Sequence, residues 1–204
     1  MNLKKLKNQN GAIGTGAIIA IAIVGIILFI FMTFIGIKNN LVTLREEVNE
    51  KQGNVQTAMQ RRSDLIGNLV ETVKGYTKHE ESVYKDIADA RSKLNGGIQS
   101  GNIDEMNAAN NELNTALSRL LVVVENYPQL QAGQQYTALM DELAGTENRI
   151  KYARDQYNSV VKTYNTKIQQ FPASMIASSQ GFTQAEYFKA DEQALTVPKV
   201  NFSE

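Results

Sequence analysis

The chain has no cysteine, one histidine and three prolines in 204 residues. Without cysteine there can be no disulfide, thiolate nucleophile, lipoprotein signal or Cys-based zinc site, and one histidine cannot supply a paired-His metal motif. The prolines, Pro128, Pro172 and Pro198, all lie in the second half, near apparent element ends, so the first half is free to run as nearly continuous helix. Charge of one sign is also lacking: Lys plus Arg equals Asp plus Glu at 21 each. No basic field draws nucleic acid, and no acidic excess marks a disordered tail. There is no phosphate loop, nucleophile elbow or His-Glu-x-x-His motif. The sequence therefore points to no catalytic residue, no metal and no cofactor.

What is present is one long apolar run. Residues 11–37 carry no charge, and residues 17–37 are dominated by Ile, Ala, Val, Phe and Leu. About 20 helical residues cross a hydrocarbon core of roughly 30 Å, so the run suffices for a single transmembrane helix in the cell membrane. A cleaved signal peptide is the competing reading, because Lys4, Lys5 and Lys7 precede the run. The run is too long for a typical signal core and no small-x-small site follows it. Orientation is balanced by count, with Lys4, Lys5 and Lys7 before the span and Lys38, Arg45 and Lys51 after it. The N-terminal lysines cluster without acids, which tilts the expectation toward a cytoplasmic N-terminus.

Beyond the span a heptad-like beat falls on Leu41, Val48, Val55, Met59, Ile66, Leu69, Val73, Tyr76, Val83, Ile87, Ala90 and Leu94. This predicts one coiled-coil-like helix from Lys38 to Leu94, with bends possible at Gly53, Gly67 and Gly75, where each glycine costs up to about 1 kcal/mol against alanine. The run from Asn95, Gly96 and Gly97 to Gly101 and Asn102 reads as a turn, and Asn102 with Glu105 as a capping box. A second helix carries Ile103, Met106, Leu113, Leu117, Leu120, Leu121 and Val124 and stops ahead of Pro128. A third follows Gly133 with Tyr136, Met140, Leu143, Ile150, Tyr157, Val161, Tyr164, Ile168 and Phe171. Thr183 and Glu186, in capping-box spacing, predict a short tail helix before an extended segment at 196–202. Phe182, Tyr187 and Phe188 of that tail are expected to pack on the bundle end. The fold class is all-α: an N-terminal transmembrane helix followed by an elongated antiparallel helical bundle. Its divisions are a polar start at 1–16, the span at 17–37 and the helical domain at 38–204.

The stretch Arg61-Arg62-Ser63-Asp64-Leu65-Ile66-Gly67-Asn68-Leu69-Val70-Glu71-Thr72-Val73-Lys74-Gly75-Tyr76 resembles the signature of the LemA family of bacterial membrane proteins. Leu117-Ser118-Arg119-Leu120-Leu121-Val122-Val123-Val124-Glu125-Asn126-Tyr127-Pro128 is similar to its second-helix block, and Leu143-Ala144-Gly145-Thr146-Glu147-Asn148-Arg149-Ile150 to its third. The tail from Phe171-Pro172 to Val200-Asn201-Phe202 also matches, so the likeness covers residues 40–202 in one collinear order. Two positions depart: family members commonly carry proline where Gly67 stands and tryptophan where Gln52 stands. The resemblance implies one N-terminal span, an elongated helical domain and a setting in membrane-associated proteolysis or envelope maintenance.

Charged and amide residues recur within the apolar helices at Arg62, Asn68, Glu71, Arg119, Glu125, Asn126, Glu147, Asn148 and Arg149. They are candidate polar layers or interaction residues, and the register-fixing role is favoured, because a buried unpaired charge excludes wrong pairings. Arg61, Arg62 and Asp64 with Glu71 form charge spacings more typical of a solvated helix face than of a partner site. His79 beside Glu80 and Glu81 reads as a surface or satisfied histidine, and the stripe Tyr152, Tyr157, Tyr164 and Phe171 as core. The expected function is a membrane-anchored scaffold or adapter of the cell envelope. Its partners are the lipid bilayer through residues 17–37 and other membrane or envelope proteins, with self-association through the heptad seam an open alternative. An accessory or sensor subunit of a membrane complex is the second reading, and a hydrolase using Glu71, Glu80 and Glu147 the third.

Overall fold

The structure, a computed structural model, describes residues 14–77 and 79–189. Among these the chain is all-α, and it opens with one uninterrupted 60-residue helix, α1 (Thr15–Lys74), about 90 Å long at 1.5 Å per residue. Two environments divide it. Through Thr33 every described side chain is exposed, although Ile18, Ile19, Ile21, Phe29, Phe31 and Met32 are large and apolar. From Leu41 onward, Leu41, Val48, Val55, Met59, Ile66, Leu69 and Val73 are buried at the spacing of the sequence repeat. The first part is long and apolar enough to cross a membrane, and none of that stretch is covered by the rest of the fold. A stripe of this size left bare in water would be strongly unfavourable.

The predicted rod to Leu94 is broken. α1 ends at Lys74 with Gly75 as its C-cap, and α2 (Glu81–Ser100) folds back antiparallel along it. Gln56 donates to the Ile98 carbonyl at 3.0 Å, Arg91 donates to Ser63 Oγ at 3.3 Å, and Lys74 lies over the Tyr84 ring at 5.4 Å. The reason is burial: continued as a rod, the helix would carry Ile87, Ala90 and Leu94 away from any apolar partner, whereas the hairpin takes all three into the core. Of the three glycines at which a bend was open, the break falls at Gly75, and α1 passes through Gly53 and Gly67 as helix.

A second correction concerns the turn at 95–102. Helix α2 continues through Asn95, Gly96 and Gly97, and only Gly101, in the left-handed region at φ 69°, and Asn102 reverse the chain. Gly97 is buried, and a Cβ there would lie 3.0 Å from Met106 N, so its lack of a side chain lets α2 and α3 (Ile103–Val124) cross closely. The predicted cap of α3 is present: Asn102 Oδ1 accepts from the Glu105 amide at 3.1 Å. Of the α3 core residues read from the sequence all but the half-buried Leu121 are buried, Ala109 and Ala116 join them, and Lys93–Glu112 and Asp86–Arg119 ion pairs tie α3 antiparallel to α2.

A one-turn helix α4 (Pro128–Gln131), with proline at its N-terminus, leads into α5 (Gln134–Gln169). α5 runs antiparallel to α1 and forms the most extensive helix contact in the molecule. Four principal helices therefore alternate in direction, where the sequence suggested three rods. Tyr157 and Tyr164 are buried as expected, but Tyr152, Phe171 and Tyr76 are exposed, because Tyr152 lies on the outward face of α5 while Phe171 and Tyr76 lie beyond the ends of α5 and α1. A helix not anticipated, α6 (Ala173–Gln180), follows the cis Phe171–Pro172 bond. It inserts Ala173, Ile176 and Ala177 between α1 and α5 and ends at Gly181 with φ 74°.

The tail helix expected at Thr183 and Glu186 does not form. Residues 182–189 are extended, because α5 offers their backbone polar groups a row of side-chain partners. Phe188 is buried and Phe182 half-buried, while Tyr187 faces outward. The extended segment predicted at 196–202, and Lys4, Lys5 and Lys7, lie outside the described residues.

Candidate contact face and C-terminal strap

The nine polar residues singled out in the sequence do not converge. Arg62 alone is buried, and its guanidinium pairs with Glu147 of α5, whose side chain is half-exposed. Burial lowers the Arg62 pKa, and the Glu147 charge opposes that shift. Arg149 reaches the same helix surface: its Nη1 donates to Glu142 Oε1 at 3.2 Å, and Arg61 donates to that oxygen at 2.6 Å. Hydrogen bonding and charge from Arg61, with a smaller contribution from Arg149, hold the Glu142 carboxyl below its ordinary range. Arg119 pairs with Asp86 across α2 and α3, and Glu71 with Lys74 within α1. Asn68, Glu125, Asn126 and Asn148 are exposed. Of the nine only Arg62 is buried: six of the others sit on the outward faces of their helices, and Glu125 and Asn126 lie just past the end of α3.

Arg61 and Asn68 share an exposed strip of α1 with Leu65. Two open depressions meet along this strip, one reaching Gln56, Gln60 and Ile98 and the other Glu71, Leu139 and Glu142. The face is uncovered because α2 and α5 pack on other sides of α1. It mixes an arginine, several amides and carboxylates with Leu65 and Leu139, a composition suited to a polar protein contact. The carboxylates of the hydrolase reading are dispersed: Glu71 binds Lys74, Glu147 binds Arg62, and Glu80 stands at the N-terminal boundary of α2 without a side-chain cap hydrogen bond. Among the described residues no three His, Asp or Glu side chains come together as a metal requires. His79 is exposed, and its amide lies 3.4 Å from Thr77 Oγ1.

The two departures from the family pattern have local explanations. Gln52, where tryptophan is common, donates to the Gly101 carbonyl at 2.7 Å and so fastens the α2–α3 turn to α1. Gly67, where proline is common, is overlain by the Arg91 guanidinium, which would lie 2.5 Å from a Cβ placed there.

The sequence reading missed the residues that organise the C-terminal strap. Asn158 and Asn165 stand two helical turns apart on α5, about 10.5 Å at 1.5 Å per residue. Each clamps one strap residue by accepting its amide and donating to its carbonyl: Asn165 holds Ala185 at 2.8 and 2.9 Å, and Asn158 holds Phe188 at 2.9 and 2.9 Å. Three extended residues span about 10 Å at 3.3 Å each, so the two periods coincide. Tyr164 and Tyr157 hydroxyls donate to the Thr183 and Glu186 carbonyls, each at 2.9 Å. Phe188 meets Tyr157 edge-on at 5.1 Å between ring centres. Asparagine at i and i+7, beside the buried Tyr157, Val161, Tyr164 and Ile168 of α5, was the available signal.

Comparison with known proteins agrees with this organisation. The LemA family model matches residues 51–202. The chain is 29% identical over 199 residues to magnetosome proteins MamQ 1 and MamQ 2 of Paramagnetospirillum magneticum (strain ATCC 700264 / AMB-1), covering 85% of this chain and 72% of each relative. It is 26% identical over 166 residues to Protein LemA of Metamycoplasma hominis (strain ATCC 23114 / DSM 25592 / NBRC 14850 / NCTC 10111 / PG21), covering 79% of this chain and 73% of that protein. The matched residues take in the signature on α1, the α2–α3 hairpin, all of α5 and the strap, and the chain belongs to the LemA family.

Proposed function

We propose that this protein is a single-pass, membrane-anchored adapter of the bacterial cell envelope that acts through protein contacts and catalyses no reaction, with its N-terminus on the cytoplasmic side. The observation that carries the reading is the continuity of α1. One helix provides both the bare apolar stretch and the central rod of the bundle, with no linker between them. A partner held against the α1 strip is thereby held at a set height and direction relative to the bilayer. Asn68 is exposed on this strip, Arg61 pairs with Glu142 at the surface, and Leu65 is half-buried with its outer side open to a partner. The carboxylates of Glu71 and Glu147 are engaged in ion pairs and Glu80 lies on another element, at the start of α2, which supports contact over catalysis.

The test is photocrosslinking in native membranes from a probe at Leu65 or Asn68, with a probe at the exposed Val122 of α3 as control. A reproducible neighbour from the α1 probes that is absent from the control is the expected result. If α1 and control probes give the same diffuse adducts, the adapter reading is overturned. A multi-span neighbour would specify the adapter as an accessory subunit of that complex.

A further inference from the structure

We infer that α6 and the two residues before it form a second membrane contact, an interfacial bracket that presses Phe171 and Met175 into the lipid beside the α1 span. Phe171, just ahead of α6, is 81% exposed, and Met175, on α6, is 67% exposed, while Ala173, Ile176 and Ala177 of the same helix are buried against α1 and α5. The exposed apolar side therefore points away from the bundle. It adjoins the membrane stretch: an apolar groove runs between Phe29, Ile30 and Phe34 of α1 and Pro172, Met175 and Ile176.

Depth follows from the helix rise. Phe29 lies eight residues before Ile37, the last residue ahead of Lys38, hence about 12 Å along the axis. The uncharged run of α1 exceeds a 30 Å hydrocarbon core by several ångströms, so the lipid boundary falls near Ile37 or up to about a turn earlier, close to Thr33. Both placements put α6 at the headgroup and acyl boundary, the depth at which an interfacial helix buries its apolar face. The composition agrees, because residues 168–185 contain no charged side chain, although the protein overall is 21% charged. Lipid is the occupant the geometry selects, since the exposed face is continuous with a surface that already lies in the bilayer. With two contacts the bundle is seated against the membrane and does not pivot on α1 alone.

The inference rests on α1 crossing the bilayer, and the test separates the two. The protein contains no tryptophan, so Phe171→Trp, Met32→Trp and Tyr152→Trp each create a single fluorescent reporter in the full chain, all at exposed positions. The variants are reconstituted in phosphatidylcholine vesicles with and without bromine on the acyl chains, and iodide is added as an aqueous quencher. The expected result is that Met32→Trp and Phe171→Trp lose most of their emission to brominated lipid, while Tyr152→Trp is quenched by iodide alone. Quenching of Met32→Trp but not Phe171→Trp overturns the bracket and leaves the span. Failure of both overturns the bracket together with the span. A Phe171→Trp signal reached by neither quencher assigns the face to another protein molecule, which also overturns the proposal.

Discussion

Asn165 and Ala185 form a closed ring of two hydrogen bonds, the side-chain Nδ2 donating to the backbone carbonyl at 2.9 Å and the backbone amide donating to Oδ1 at 2.8 Å. The amide side chain takes the place of a neighbouring β-strand, and the strap runs along a helix as though it had a sheet partner. Asn165 is buried, so this ring is shielded from competing water.

Asn165→Ala should destabilise the fold by about 2–3 kcal/mol, because it leaves an amide and a carbonyl of Ala185 without partners in a partly buried site. Chemical denaturation measures the loss. Limited proteolysis should show new cleavage within residues 182–189 before the helices are cut, and an unchanged digestion pattern would refute a strap held in this way.

Tyr157 links the same contact to pH. Burial, followed by the Glu186 charge, pushes its phenol from 10.0 up to about 12. The folded state therefore keeps its proton where the unfolded chain releases it. This stabilisation is complete below pH 10 and is lost as pH rises from there through about 12, amounting to about 2–3 kcal/mol for a shift of this order. Denaturation midpoints measured at increasing pH should fall in that window. The fall should be shallower in Tyr157→Phe, and an identical slope would refute the assignment.

Glu147→Gln should cost about 1–3 kcal/mol, since it removes the counter-charge of a buried guanidinium. The cost should largely vanish in the Arg62→Met background, where no buried charge remains. A double-mutant cycle measures the coupling, and additive effects would show that the pair contributes nothing.

Adjacent glycines on α2 should respond in opposite directions. At Gly96 an added Cβ meets nothing within 4 Å, so Gly96→Ala should gain about 1 kcal/mol from helix propensity. At Gly97 the same methyl would lie 3.0 Å from Met106 N and 3.2 Å from the Glu105 carbonyl carbon, and separating the helices should cost about 1–3 kcal/mol. Thermal denaturation of the two variants checks the difference in sign.

Helix interiors were legible in the sequence because their signal is local. Leu41, Val48, Val55, Met59, Ile66, Leu69 and Val73 repeat on one face, and all are buried. The Asn102 cap and the stop before Pro128 were legible for the same reason, since each depends on a few adjacent residues. The seam read through Tyr76 to Leu94 was right about which side chains are buried at Ile87, Ala90 and Leu94, and wrong about the direction of the helix that carries them. A heptad pattern is unchanged when the chain reverses, so it cannot report a hairpin. The polar candidates were less legible: Arg62 is buried, but Asn68, Glu125, Asn126 and Asn148 are exposed, because alternation along a helix does not say which neighbour covers which face.

By itself the sequence determined that an uncharged apolar run stands ahead of an all-helical domain of the LemA kind, since hydrophobic period, capping residues and collinear blocks are properties of the chain order. Tertiary structure alone decided the reversal at Gly75, the extended strap in place of a tail helix, and the seating of α6 beside the apolar run. Each depends on partners distant along the chain, α3 for the buried face of α2, Asn158 and Asn165 for the strap, and α1 for α6. Burial of apolar surface and pairing of backbone polar groups are settled between such partners, which is why the helical periods and caps did not announce them.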